Sequence, residues 1–265
     1  MVHAASPFSS FQKDGISLPA IKKIFECVGA KVSTSQEANA FAQKNLLLTE
    51  DQWHAHEETD MRKRLYANQQ ALLHELTSLH MIAEIKPTKQ KYAYALVMGS
   101  FKDDVSQRLD FLARLFEQGY LFEHIVLLGG ERLLRSFERD GLPENFTTEI
   151  QMMQYFCQQY QVFKNQQIML LNAPMIQKSD GTLSRPTTDS TLTYFAQIAP
   201  KAGACLVISN NPYIPRQTKV AQRILDQSRF PTEGAGPAFK GDIDIVMVMD
   251  EFARRLYEEC KQVHN

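Results

Sequence analysis

From Tyr92 onward the sequence alternates short, unbroken apolar runs with stretches of helical periodicity, and few folds accept that pattern. The runs are YAYALVM (92–98), HIVLL (124–128), QIMLLNA (167–173), ACLVISN (204–210) and IDIVMVM (243–249). Between them lie a stretch from about Asp103 to Gln118, then TTEIQMMQYFCQQY, TTDSTLTYFAQIA and IPRQTKVAQRILDQ, and DEFARRLYEECKQ closes the series. A strand with one wet face alternates polar and apolar residues, whereas a strand covered on both faces does not. Strand–helix alternation with unbroken runs therefore predicts an α/β, Rossmann-like domain. It has a parallel sheet of about five strands with helices on both faces. TEGAGPAFKGD (232–242), rich in Gly and Pro, reads as a loop before the last strand.

The residues before about Lys89 follow another pattern. Ile16, Leu18, Ile21, Ile24, Phe25 and Val28 recur at helical spacing, with Ser17 as N-cap and Pro19 in the first turn. A longer helix is predicted from Thr49 to Ala83, with Leu65, Leu72, Leu76 and Leu79 as its apolar stripe. IKPTKQK then reads as a linker. The expected organisation is a helical segment over 1–89 and the α/β domain over 90–265.

Parallel sheets bind ligands beyond the carboxyl ends of their strands. That rule selects Gly99 and Ser100 after the first run and Gly129 and Gly130 after the second. Ser209, Asn210 and then Arg216 come after the fourth, and Asp250 and Glu251 after the fifth. Gly129 and Gly130 either make a tight turn or let a ligand approach the backbone. A glycine turn that opens a helix would offer N–H groups to an anion. Arg216 and Arg108 are the cations for such a ligand. Each has a structural alternative: Arg216 could pair with an acidic neighbour, and Arg108 could brace the sheet against Glu149. Glu149 is the candidate general base or acceptor for a ligand hydroxyl, or simply an acid favoured at a helix N-terminus. Thr191 either orients a ligand hydroxyl or caps a helix, and Asn210 and Asn211 before Pro212 also suit a turn.

Other functions have less support. The formal net charge is -1, so no footprint for duplex nucleic acid exists. No run approaches the roughly 18 apolar residues of a spanning helix. The N-terminus lacks a secretory pattern, and a cytoplasmic location is expected. Cys27, Cys157, Cys205 and Cys260 have no CxxC spacing and read as reduced thiols, not as a zinc site. WHAHEETD (53–60) sets His54 and Glu58 four residues apart but lacks the HExxH order, so it reads as a solvated helix face and no metal is expected. Neither GxGxxG nor GxSxG occurs.

Five of these elements, in this order, resemble the YdcF-like family. Arg108 leads a helix that Gly119 ends, and Leu128, Gly129 and Gly130 stand at the family's glycine turn. Glu149 follows in TTEIQMM, Thr191 in TDSTLTY, and Ser209 and Arg216 in VISNNPYIPRQ. The resemblance spans about residues 92–250. Thr193 and Tyr194 replace an acid and an amide of the family pattern, and Tyr213 stands where its His is expected.

The resemblance implies a Rossmann-like small-molecule-binding protein. Its ligand would be nucleotide-like or anionic, with S-adenosylmethionine as the candidate cofactor and transferase or hydrolase chemistry in view. The departures motivate a second reading, a catalytically degenerate member that binds a protein partner through its N-terminal helices. A third, by family analogy alone, is cell-envelope precursor metabolism.

Overall fold

The computed structural model describes residues 19–48, 59–198 and 201–261. The predicted cap at Ser17, the start of the predicted 49–83 helix and the residues His54 to Glu58 lie outside them. By internal packing the chain forms two units, one around the sheet (85–210 and 220–237) and one helical (up to 84, 211–219 and 238 onward).

In the sheet unit, β1 (Lys91–Met98), β2 (Leu121–Gly130), β3 (Gln167–Ala173), β6 (Cys205–Ile208) and β7 (Thr232–Ala235) form one sheet in the order β3-β2-β1-β6-β7. Every neighbouring pair is parallel. The small hairpin β4 (Ile176–Gln177) and β5 (Leu183–Ser184) pairs antiparallel apart from it. Alternate residues of β1 feed two cores. Ala95 and Val97 pack with Leu109 and Leu112 of α5 (Lys102–Glu117) and Met152 and Met153 of α6 (Glu149–Gln158). Tyr94, Leu96 and Met98 pack with Leu192 and Phe195 of α7 (Thr188–Ile198) and with Val220 and Ala221 of α8 (Ile214–Ile224). The chain therefore has the expected Rossmann-like α/β architecture.

Local chemistry sets the helix ends. α5 carries Asp103 and Asp104 in its first turn and Arg114 in its last, each matching the helix dipole. It stops at Gly119, whose φ of +84° suits a residue without Cβ. Gly119 N–H then reaches the Phe116 carbonyl and Tyr120 N–H the Leu115 carbonyl, the paired bonds of a Schellman end.

Burial separates the strands. β1, β2 and β6 are covered on both faces over most of their length, as unbroken apolar runs predict. β3 lies at the sheet edge and leaves Ile168 and Leu170 exposed, so its run overstates its burial.

The fifth strand differs from the one the sequence suggests. IDIVMVM is not a strand: it begins α9 (Ile245–Lys261). Asp244 starts that helix, its carboxylate accepting from Val246 N–H at 2.9 Å and its carbonyl from Val248 N–H at 3.1 Å. Ile245, Met249, Phe252 and Leu256 are buried at helical spacing. The strand is Thr232–Ala235, within the segment that reads as a loop. Gly234 pairs with Val207 and Ala235 with Ile208. A short edge strand with a central glycine carries almost no strand signal.

The helical unit holds α1 (Pro19–Cys27), α2 (Ser35–Asn45), α3 (Asp60–Ala67), α4 (Gln69–Ser78), α9 and the first turns of α8. No continuous helix runs to Ala83: Asn68 breaks it, its amide donating to the Cys27 and Arg64 carbonyls at 3.1 and 3.0 Å. α2 is an addition to the sequence reading. Thr34 caps it by accepting from Glu37 N–H at 3.1 Å. Ile21, Ile24, Phe25, Leu65, Leu72, Leu76 and Leu79 are buried with Phe252 and Leu256 of α9. The apolar stripe of these helices is packed in this unit's own core. Among the described residues no helix is long and apolar enough to cross a membrane.

Candidate functional site

With β1 to the left and β6 to the right of the point where strand order reverses, the sheet has its topological switch between them. Open α/β sheets hold their ligands beyond the carboxyl ends at that point. Gly99 and Ser100 leave β1 there, and Ser209 and Asn210 leave β6.

Glu149, 50 residues further along the chain than Gly99, comes to the same end of the sheet. It opens α6, and its N–H bonds the Arg132 carbonyl at 2.9 Å. A Cβ on Gly99 would lie 2.8 Å from the Leu128 carbonyl oxygen and 3.0 Å from the Glu149 carboxyl carbon. Only glycine lets that carboxylate settle against the end of β1. Burial pushes the Glu149 carboxyl above its usual range, against the pull of the Arg132 and Arg108 guanidiniums and with a further push from Glu138. A carboxyl poised in this way is suited to hold or move a proton.

Arg132 organises the rim. Its two terminal nitrogens reach both oxygens of Glu138 at 2.7 and 2.9 Å. One of them also lies 3.3 Å from Glu149 Oε1 and 3.2 Å from the Ser100 carbonyl. Glu138 is fully buried, and it accepts from Arg135 N–H as well, at 2.9 Å. Burial alone would lower Arg132, but the two carboxylates more than offset it and keep the guanidinium charged.

Arg108 is committed to the sheet. Only 1% exposed, it donates to the Met98 and Gly99 carbonyls at 2.8 Å each and to Asn210 Oδ1 at 2.8 Å. Asn210 in turn donates to Asp104 at 2.8 Å, and Ser100 Oγ bonds the same carboxylate at 2.5 Å. Arg108 thus braces β1 against β6, through backbone carbonyls and an amide. Ser209 is wholly buried beside this network, and among the described residues its hydroxyl has no hydrogen-bond partner.

Other selected residues have local duties. Gly129 and Gly130 make no turn. They continue β2, paired with Asn172 and Ala173 of β3. Nor do they open a helix, since α6 begins at Glu149 after a long connection. A helix dipole therefore does not stand behind them. The space a side chain would need is taken by the protein itself, with Ile150 and Met153 against Gly129 and Pro186 against Gly130. Thr191 lies inside α7, and its hydroxyl donates to the Thr187 and Thr188 carbonyls. Thr187 and Ser190, not Thr191, exchange the capping bonds. Arg216 is in the first turn of α8 in the helical unit, ion-paired with the buried Glu251. Glu251 and Asp250 sit within α9 and do not follow a strand. Cys157 and Cys205 are buried, which pushes each thiol up to about 12, far from nucleophilic use.

The structure adds Asp104, Arg132, Glu138, Phe101 and Phe137 to this edge. One signal was present: Arg132 and Glu138 flank a short loop after a strand end. Nothing in their spacing told that they pair.

The fold and this edge define a class, an α/β protein with a carboxylate-rich, arginine-buffered cluster beyond the strand ends. The chain matches no family model and no curated protein.

Proposed function

We propose that the protein binds a nucleotide-like small molecule at the carboxyl edge of its sheet and belongs with the YdcF-like group. S-adenosylmethionine is the first ligand to test. One observation carries the reading. Gly99, Ser100, Arg108, Glu149 and Asn210, far apart in sequence, join one contiguous polar cluster at the switch-point end of the sheet. Such convergence is what a binding site in this fold class requires.

Charge narrows the ligand. Two guanidiniums, Arg108 and Arg132, stand among the carboxylates of Asp104, Glu138 and Glu149. With its cations already matched, this edge is a poor socket for a polyphosphate. It suits a ligand with hydroxyls and a cationic centre, such as the sulfonium of S-adenosylmethionine. In transferase or hydrolase chemistry Glu149 would take or return the proton.

Thermal unfolding of the full chain should be measured with S-adenosylmethionine, its homocysteine product, nucleotides and nucleotide sugars. A ligand of the native state raises apparent stability in a saturable way. The expected result is such a shift for S-adenosylmethionine or its product, weakened by Glu149→Gln. Absence of any shift in well-folded protein would overturn the reading.

A further inference from the structure

Phe137 is 59% exposed, yet the turn that carries it is firmly held. Its neighbour Glu138 is fully buried on Arg132 and on the Arg135 N–H. Leu133 bridges to Thr148, and Leu134 N–H bonds the Thr147 carbonyl at 2.8 Å. A single exposed apolar side chain needs no explanation. An exposed ring on an anchored turn at the ligand edge of a parallel sheet is a different matter, because its position is set before anything binds.

The surroundings of the ring are aromatic and cationic, and Phe101 packs edge-on against it. Phe101, directly after Ser100, lies 5.6 Å from Phe137 between centroids, at 61°. The guanidiniums of Arg132 and Arg135 sit over Phe101 at 5.4 and 5.2 Å. Aromatic faces and guanidinium planes are the surfaces on which heterocyclic bases stack. A single residue, Arg132, connects this group to the Glu149 carboxylate.

We propose that Phe137, with Phe101 and Arg135, forms a stacking platform for a nucleobase. The ligand class is then nucleoside-like, and a base-free sugar phosphate or amino acid is not a full ligand. This rests on the reading of the carboxyl edge as the ligand site.

The test is calorimetric titration of the full chain with S-adenosylmethionine, adenosine, methionine and ribose 5-phosphate. Wild type, Phe137→Ala, Phe137→Tyr and Glu149→Gln are compared, each with its thermal midpoint as a folding control. Adenosine and S-adenosylmethionine should bind and the two base-free probes should not. Phe137→Ala should weaken adenosine about tenfold or more, the usual yield of one base–aromatic stack, and Phe137→Tyr should restore it. Adenosine binding that ignores Phe137→Ala but falls with Glu149→Gln overturns the platform and leaves the site standing. Methionine or ribose 5-phosphate binding as tightly as adenosine also overturns the platform. No binding of any probe to folded protein overturns the site and the platform together.

Discussion

Arg108 and Arg132 stand at the same end of the same sheet and do opposite kinds of work. Arg108 is sealed and donates to the Met98 and Gly99 carbonyls and to the Asn210 amide oxygen. Arg132 sits at the rim with a side chain 11% exposed, between two carboxylates and over an aromatic ring. The first arrangement holds its guanidinium away from solvent and ties β1 to the residue that follows β6. The second keeps a charged pair and a carboxyl with a raised pKa next to solvent. Burial and partner type, more than residue identity or place after a strand, separate the brace from the charged rim.

The largest expected effect tests the brace. Arg108→Ala would leave two strand carbonyls and Asn210 Oδ1 without their donor in the interior. It should cost about 4 kcal/mol of stability, read from urea unfolding. A loss under about 1 kcal/mol would mean that Arg108 is no more structural than the rim.

An intermediate effect tests the rim through pH. Glu149 has its folded pKa raised by burial. The folded state then binds its proton more tightly than the unfolded chain. Its contribution is most favourable below the ordinary glutamate value and is lost as pH rises through the folded pKa. Glu149→Gln removes that slope. Urea unfolding of both proteins across this range should show the variant gaining on wild type as pH rises. A parallel course would remove the case for a poised carboxyl.

The smallest effect sharpens the contrast. Phe137→Ala should change unfolding stability by no more than about 0.5 kcal/mol, as expected at an exposed position, while altering ligand affinity. A large stability loss would make Phe137 a packing residue.

The legible part of the fold was the part with local signal. The β1, β2 and β6 runs announce buried parallel strands because their side chains are covered on both faces. β7 was missed since Gly234 and a four-residue length leave little pattern. The 245–249 segment misled because Ile, Val and Met in succession suit a buried strand as well as a buried helix. Asp244 and the spacing through Phe252 and Leu256 decide between them. In the candidate site, position after a strand end selects Gly99, Ser100 and Asn210, which share one polar cluster. It could not tell that Gly129 and Gly130 make room for Ile150, Met153 and Pro186.

The sequence by itself determined the class of fold, because hydrophobic period is a local property of the chain. Tertiary structure alone decided which charges meet. Arg132, Glu138 and Glu149 become a cluster, and Arg216 a partner of Glu251, only when separate segments fold together. Pairing and desolvation depend on three-dimensional distance, which linear spacing does not encode.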